Sequence, residues 1–204
     1  MCASFGDGEH NMSSHTSKGK IFLTEGIKYD DLRCKGKVTA EGRISAASIN
    51  IKDKLSADDI TADSSFDFKG KISAGSISAQ DVKIITGSDG KAATITGGKV
   101  FIRCENDPEM AEEFMNFAEG ILRLFHIDTD EIRDAEETSS SEKKATVFRC
   151  GEISGSDIEL YGVTCRTVSG ENITLKGGCH IDTVSYTGKY EADDSCVIGR
   201  AVKA

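Results

Sequence analysis

One short phrase, recurring at fixed spacing, constrains this chain more than any other feature. Between positions 38 and 79 a branched apolar residue, a hydroxyl residue and an alanine follow one another six times. The copies are Val38-Thr39-Ala40, Ile44-Ser45-Ala46, Leu55-Ser56-Ala57, Ile60-Thr61-Ala62, Ile72-Ser73-Ala74 and Ile77-Ser78-Ala79. The first, third and fifth copies begin at 38, 55 and 72, which sets a repeat of about 17 residues. Triplets of a second kind lie between them: Ile49-Asn50-Ile51, Phe66-Asp67-Phe68 and Val82-Lys83-Ile84. Each unit therefore holds three in-out-in strands separated by turns rich in Gly, Asp, Lys and Ser.

Alternation with period two describes a strand with one buried face. So short a strand cannot offset an ordering cost of about 1–2 kcal/mol per residue by itself. Stacked copies can, because each strand then has a partner above and below. Three strands in every repeat define a three-sided parallel β-solenoid, with levels about 4.8 Å apart and inward side chains in columns. Alanine at the third position of each phrase suits a narrow interior. A leucine-rich horseshoe would need a different consensus and a helical segment in each unit.

Composition agrees with this fold. One proline and 21 glycines in 204 residues suit many tight turns, and with aromatics at 6% the interior must be built from Ile, Val, Leu and Ala. The net charge of −9 argues against nucleic acid as a partner, since phosphate binding needs clustered Lys and Arg. Seven cysteines (Cys2, Cys34, Cys104, Cys150, Cys165, Cys179 and Cys196) include no C-x-x-C pair. With no secretion leader at the start and no apolar window long enough to span a membrane, a cytoplasmic location is expected, with at most peripheral contact at the inner face of the membrane. The cysteines are expected to be small buried hydrophobes.

Residues 1–18 read as a flexible tail, with His10 and His15 as the only metal-binding candidates in it. A first solenoid segment covers 19–104: Ile21-Phe22-Leu23, Ile27-Lys28-Tyr29 and Leu32-Arg33-Cys34 each lie one full repeat before Val38, Ile44 and Ile49. After Ile84 the register loosens, and the pairs Ala93/Ile95 and Val100/Ile102 indicate one more turn. Residues 105–144 form an insert. Asp107-Pro108-Glu109 is a helix start, and Met110, Phe114, Phe117, Ile121 and Phe125 give an amphipathic helix to about 125, followed by an acidic, serine-rich linker. The face carrying Phe114, Phe117, Ile121 and Phe125 is a cap for a solenoid end or a partner surface. Triplets return over 145–204, as Ile158-Glu159-Leu160, Ile173-Thr174-Leu175, Val184-Ser185-Tyr186 and Tyr190-Glu191-Ala192, giving a second segment of about three less regular turns.

The repeated Ile-Ser/Thr-Ala strands with Gly, Lys and Asp corners resemble the bactofilins, polymer-forming cytoskeletal proteins of bacteria, over residues 19–104. The block from Cys165 to Tyr186, with Ile173-Thr174-Leu175 and Cys179-His180-Ile181, looks like the C-terminal part of the two-segment bactofilin-like proteins of Gram-positive bacteria. The resemblance implies a right-handed β-helix, nucleotide-free self-assembly by end-to-end stacking, and a scaffolding role near the cell envelope, with cell-wall-related proteins as partners.

Enzymatic readings compete with assembly. Hexapeptide-repeat acyltransferases form similar coils, but on a strict hexad pattern and with a general-base histidine. The candidates here are His126 and His180, and no nucleophile, base and orienting group gather near either in sequence. Cys150, Cys165, Cys179 and Cys196 are spaced by about one turn, predicting a buried ladder; a metal would need several ligands converging on one point. No catalytic, cofactor or metal site is expected. An uncapped solenoid end exposes strand edges, and a head-to-tail contact between ends does not close. Ile21, Leu23, Ile27 and Leu32 are the expected face at one end, and Val197, Ile198 and Val202 at the other. The competing readings are a monomeric or dimeric binding module for an envelope protein or polysaccharide, and a degenerate acyltransferase.

Overall fold

A computed structural model describes residues 10–12, 14–23, 27–87, 89–105 and 147–204. Ten strands form one parallel sheet wound into a solenoid of about eight turns, and no helix occurs among the described residues. In chain order the strands are β1 (His10–Met12), β2 (His15–Leu23), β3 (Ile27–Ala40), β4 (Arg43–Thr86), β5 (Gly90–Cys104), β6 (Phe148–Tyr161), β7 (Val163–Lys176), β8 (His180–Tyr186), β9 (Tyr190–Ala192) and β10 (Val197–Lys203). The helix expected over 108–125, its residues Phe114, Phe117, Ile121 and Phe125, His126 and the linker 128–144 all lie outside the described residues.

The registers show the predicted repeat: Ile21 stands over Val38, Leu32 over Ile49 and Val38 over Leu55. Alternate residues fill the interior, with Val38, Ile44, Ile49, Ile51, Ile60, Ile72 and Ile84 all but inaccessible. The alanines have a packing reason. On one level Phe66 and Phe68 both point inward with ring centroids 6.3 Å apart, and the other two strands of that level offer Ala57 and Ala62 beside Leu55 and Ile60. Two phenylalanines fit because the facing positions are small.

The solenoid begins earlier than expected. His10–Met12 pairs with Ile27–Tyr29 and His15–Leu23 with Leu32–Ala40, so part of the expected tail lies in the strand register. The frame near residue 93 also differs: Ala92 is buried and Ala93 exposed. Gly90 takes the inward slot there, because a Cβ at Gly90 would come within 2.8 Å of the Phe148 ring and 3.3 Å of Ile72. The large ring of Phe148 fills the space that the glycine leaves.

The two segments are continuous. β5 pairs directly with β6, Gly90 with Phe148, Val100 with Ile158 and Ile102 with Leu160. The step is then shorter between β6 and β7, where Cys150 pairs with Cys165. It regains its earlier length between β8 and β10, where His180 pairs with Val197.

Candidate functional site

Chemistry-bearing side chains are dispersed by the fold. His180 is exposed while Cys179 beside it is buried, as alternation requires. His15 lies with its ring centroid 5.7 Å from that of Tyr29. No group of three His, Cys, Asp or Glu side chains suited to a metal ion occurs among the described residues.

The expected four-level cysteine ladder is two short ladders. Cys150 and Cys165 stand in register, but the next level places Ile181 over Cys165, and Cys179 takes the neighbouring inward slot, its Sγ 3.5 Å from the Val163 amide. The turn from β7 to β8 is longer than the turn before it, which moves the cysteine along the strand. The thiols donate to backbone carbonyls: Cys150 to Glu152 and Cys165 to Thr167, each at 3.2 Å. Burial pushes Cys179 up to about 12 and Cys104 up to about 11. Such thiols stay protonated and serve as packing groups.

The two ends are the remaining candidates, and they differ. At the C-terminal end the inward columns run out uncovered. Ala201 stands in register with the buried Val184, and Ala192 with the buried Leu175, yet both are exposed. Ile198 continues the column of Ile181 and is half-buried. Val197 is 57% exposed, but it is in register with the outward His180, and Val202 with Ser185, so both belong to the sides of the solenoid. Of the three residues expected here, only Ile198 faces along the axis. Tyr190, Ala192 and Ala201 complete the end. They escape a reading of the sequence because an exposed alanine carries no signal until its column is known.

A carboxylate shapes this last level. Asp193 accepts hydrogen bonds from the amides of Gly177 (2.8 Å) and Ser195 (3.0 Å), from the Ser195 hydroxyl and from the Cys196 thiol (3.1 Å). The Ser195 hydroxyl is the main cause holding its carboxyl down at about 2.

At the N-terminal end, Ile21 and Leu23 lie on the outermost level among the described residues, Ile21 half-buried and Leu23 buried, whereas Ile27 and Leu32 are covered by β1 and β2. Leu32 is therefore an interior residue and Ile27 a half-buried one beneath β1, so neither lies on the outermost described level, a correction that follows from the earlier start of the coil. The inward positions over Leu32 and Cys34 are His15 and Ser17, so this end is part polar.

A lateral face also carries ordered surface groups. Lys83, Phe101, Glu159 and Thr174 form one outward column, and Asp81, Lys99, Asp157 and Asn172 its neighbour. They line a shallow groove of roughly 370 Å³. Beside it, Tyr161 packs against Phe101 with centroids 5.8 Å apart, and Arg103 lies 4.9 Å over its ring.

The fold and these surfaces define the chain as a parallel β-solenoid protein. No protein-family model, curated protein or solved structure matches it.

Proposed function

We propose that this protein is a non-enzymatic scaffold that assembles by stacking solenoid ends, as its resemblance to the bactofilins implies, with a second copy of itself as principal partner. The observation that carries the reading is the row of inward positions left open at the last level, Ala192, Ile198 and Ala201, next to the backbone edges of β9 and β10 that have no partner among the described residues. An open strand edge above an apolar interior is a template for another chain. Its complement is the opposite end, with the half-buried Ile21 and the edge of β2 that has no partner among the described residues. The two ends are unlike, so the contact is head-to-tail and produces a filament. No nucleotide, nucleic acid or metal enters the assembly. The reading places it in the bacterial cytoplasm, near the envelope.

The lateral groove beside Phe101 and Tyr161 favours a second reading, a discrete binding module that holds an envelope protein or polysaccharide.

Negative-stain electron microscopy separates the two. The parent is expected to form filaments, and Ala201→Arg to remain folded by circular dichroism but form none, because a charge would stand in the middle of the contact. Ile21→Arg, at the other end, should do the same. Discrete particles in the parent at high concentration would defeat the scaffold reading.

A further inference from the structure

Four successive corners share one composition: Lys18-Gly19-Lys20, Lys35-Gly36-Lys37, Lys52-Asp53-Lys54 and Lys69-Gly70-Lys71. Stacking turns these into two columns. Lys18, Lys35 and Lys52 are in register, as are Lys20, Lys37 and Lys54. Gly70 lies against Asp53, since a Cβ there would meet the Asp53 carbonyl oxygen at 2.1 Å, so Lys69 and Lys71 add a fourth level. The middle residue has φ of +96°, +124°, +91° and +134° in turn, one repeated left-handed corner. All eight lysines are exposed.

Levels about 4.8 Å apart lie well inside the roughly 8 Å screening distance of physiological salt. The columns therefore repel themselves, and like charges opposed across strands destabilise a sheet. Among the described residues, one lysine of the eight has an ion-pair partner: Lys69 binds Glu105 at 2.7 Å. Glu105 is where the chain leaves the solenoid, and it re-enters at the same corner, where the Gly90 amide donates to Val147 and the Val147 amide to Asp89. The intervening residues 106–146 hold twelve of the 34 acidic residues and four of the 25 basic ones, which is eight of the nine net negative charges of the chain. The surplus negative charge is thus tethered at one end of the lysine columns.

We propose that the lysine corner is a docking site for an acidic polypeptide, and that its occupant is the stretch from Asp128 to Glu142 of the same chain. Glu105 on Lys69 is the first carboxylate of that contact. At about 3.3 Å per extended residue the tether reaches every level, and closing a loop of this size costs little more than closing a shorter one. A tethered segment also has a local concentration in the millimolar range, which favours it over another copy. The stripe is only two lysines wide, with Asp31 and Asp67 on the strands before the corner and Glu41 and Asp58 beyond the strands after it. That suits a linear anion better than a planar one.

Zero-length carbodiimide coupling of the whole chain tests this, using a mixture of isotope-labelled and unlabelled protein. Bonds from Lys35, Lys37, Lys52 or Lys54 to residues 128–142 are expected within one isotopic species, their yield falling several-fold from low to high salt. The variant K35S/K37S/K52S/K54S, its fold checked by circular dichroism, should be cleaved several-fold faster by a Glu-specific protease at Glu131, Glu136 and Glu137. Bonds chiefly between labelled and unlabelled copies would assign the site to a second copy and overturn the proposal. So would absence of these bonds, unchanged cleavage in the variant, or binding of inorganic polyphosphate or anionic vesicles to the parent with cleavage unaltered.

Discussion

The turns before the insert and the turns after it build the same interior by different means. Before it, the step is even from β2 into β4 and one residue longer between β4 and β5, and branched residues with alanine beside them fill the levels. After it the step shortens, Cys150 and Cys165 stack in inward places, and Gly155 and Gly170 continue a column that Gly97 begins before the insert. The strand triplets are constant and the corners absorb the change. Between the buried Cys34 and Val38 the corner is longer than between the buried Leu160 and Val163. Level matching is thus decided by which side chains stack inside, and corner length is adjustable.

The two halves depend on each other most at the junction. Ile102→Asp and Leu160→Asp each bury an unpaired carboxylate opposite the other's position, at a cost of several kcal/mol out of a typical ~5–15. Hydrogen exchange is expected to rise in peptides on both sides, 72–104 and 148–175, for either variant. If one side keeps its protection, the halves are separate units. Next come the thiols. Cys196, half-buried at the last level, should react with maleimide in the folded protein, whereas Cys150, Cys165 and Cys179 should react only on unfolding. Because burial raises Cys179 to about 12, its contribution to stability is complete below the ordinary thiol value of about 8.5 and is lost as pH climbs through that value toward 12. Chemical denaturation at stepped alkaline pH reads that loss.

A smaller effect sharpens the role of the corners. Asp53, at φ 91°, is the one non-glycine residue with positive φ among those described, at a position where the neighbouring levels have Gly19, Gly36 and Gly70. Asp53→Gly is expected to raise stability by about 1 kcal/mol in urea unfolding. The smallest effect is at Asp193. Its carboxyl is held below the ordinary value, so its contribution is present above about pH 4 and fades as pH falls toward 2. Exchange at the Gly177 and Ser195 amides should speed up over that range while the interior of β4 stays protected.

The regular half is legible from residue types because Val38, Ile44, Ile49 and their copies repeat in kind as well as in spacing. The first strands are not, since His15 and Ser17 occupy inward slots without an apolar signal. Ala93 reads as inward in place of Ala92 because a glycine stands where a branched residue would have marked the frame. The cysteine ladder breaks at one lengthened corner, a difference visible only once strands are paired. Lys-Gly-Lys is visible as a turn, but its alignment into columns depends on the register and is invisible in one dimension.

The direct pairing of β5 with β6 has an evolutionary consequence. The hydrogen bonds on both sides of the insert close without it, Gly90 to Phe148 as regularly as Phe148 to Val163. Doubling a loop in such a place costs only about 0.6 kcal/mol of closure entropy. The corner after Cys104 is therefore a place where sequence can be gained, shortened or exchanged with little effect on the coil, a port at which one scaffold can acquire new side branches while its stacking geometry stays the same.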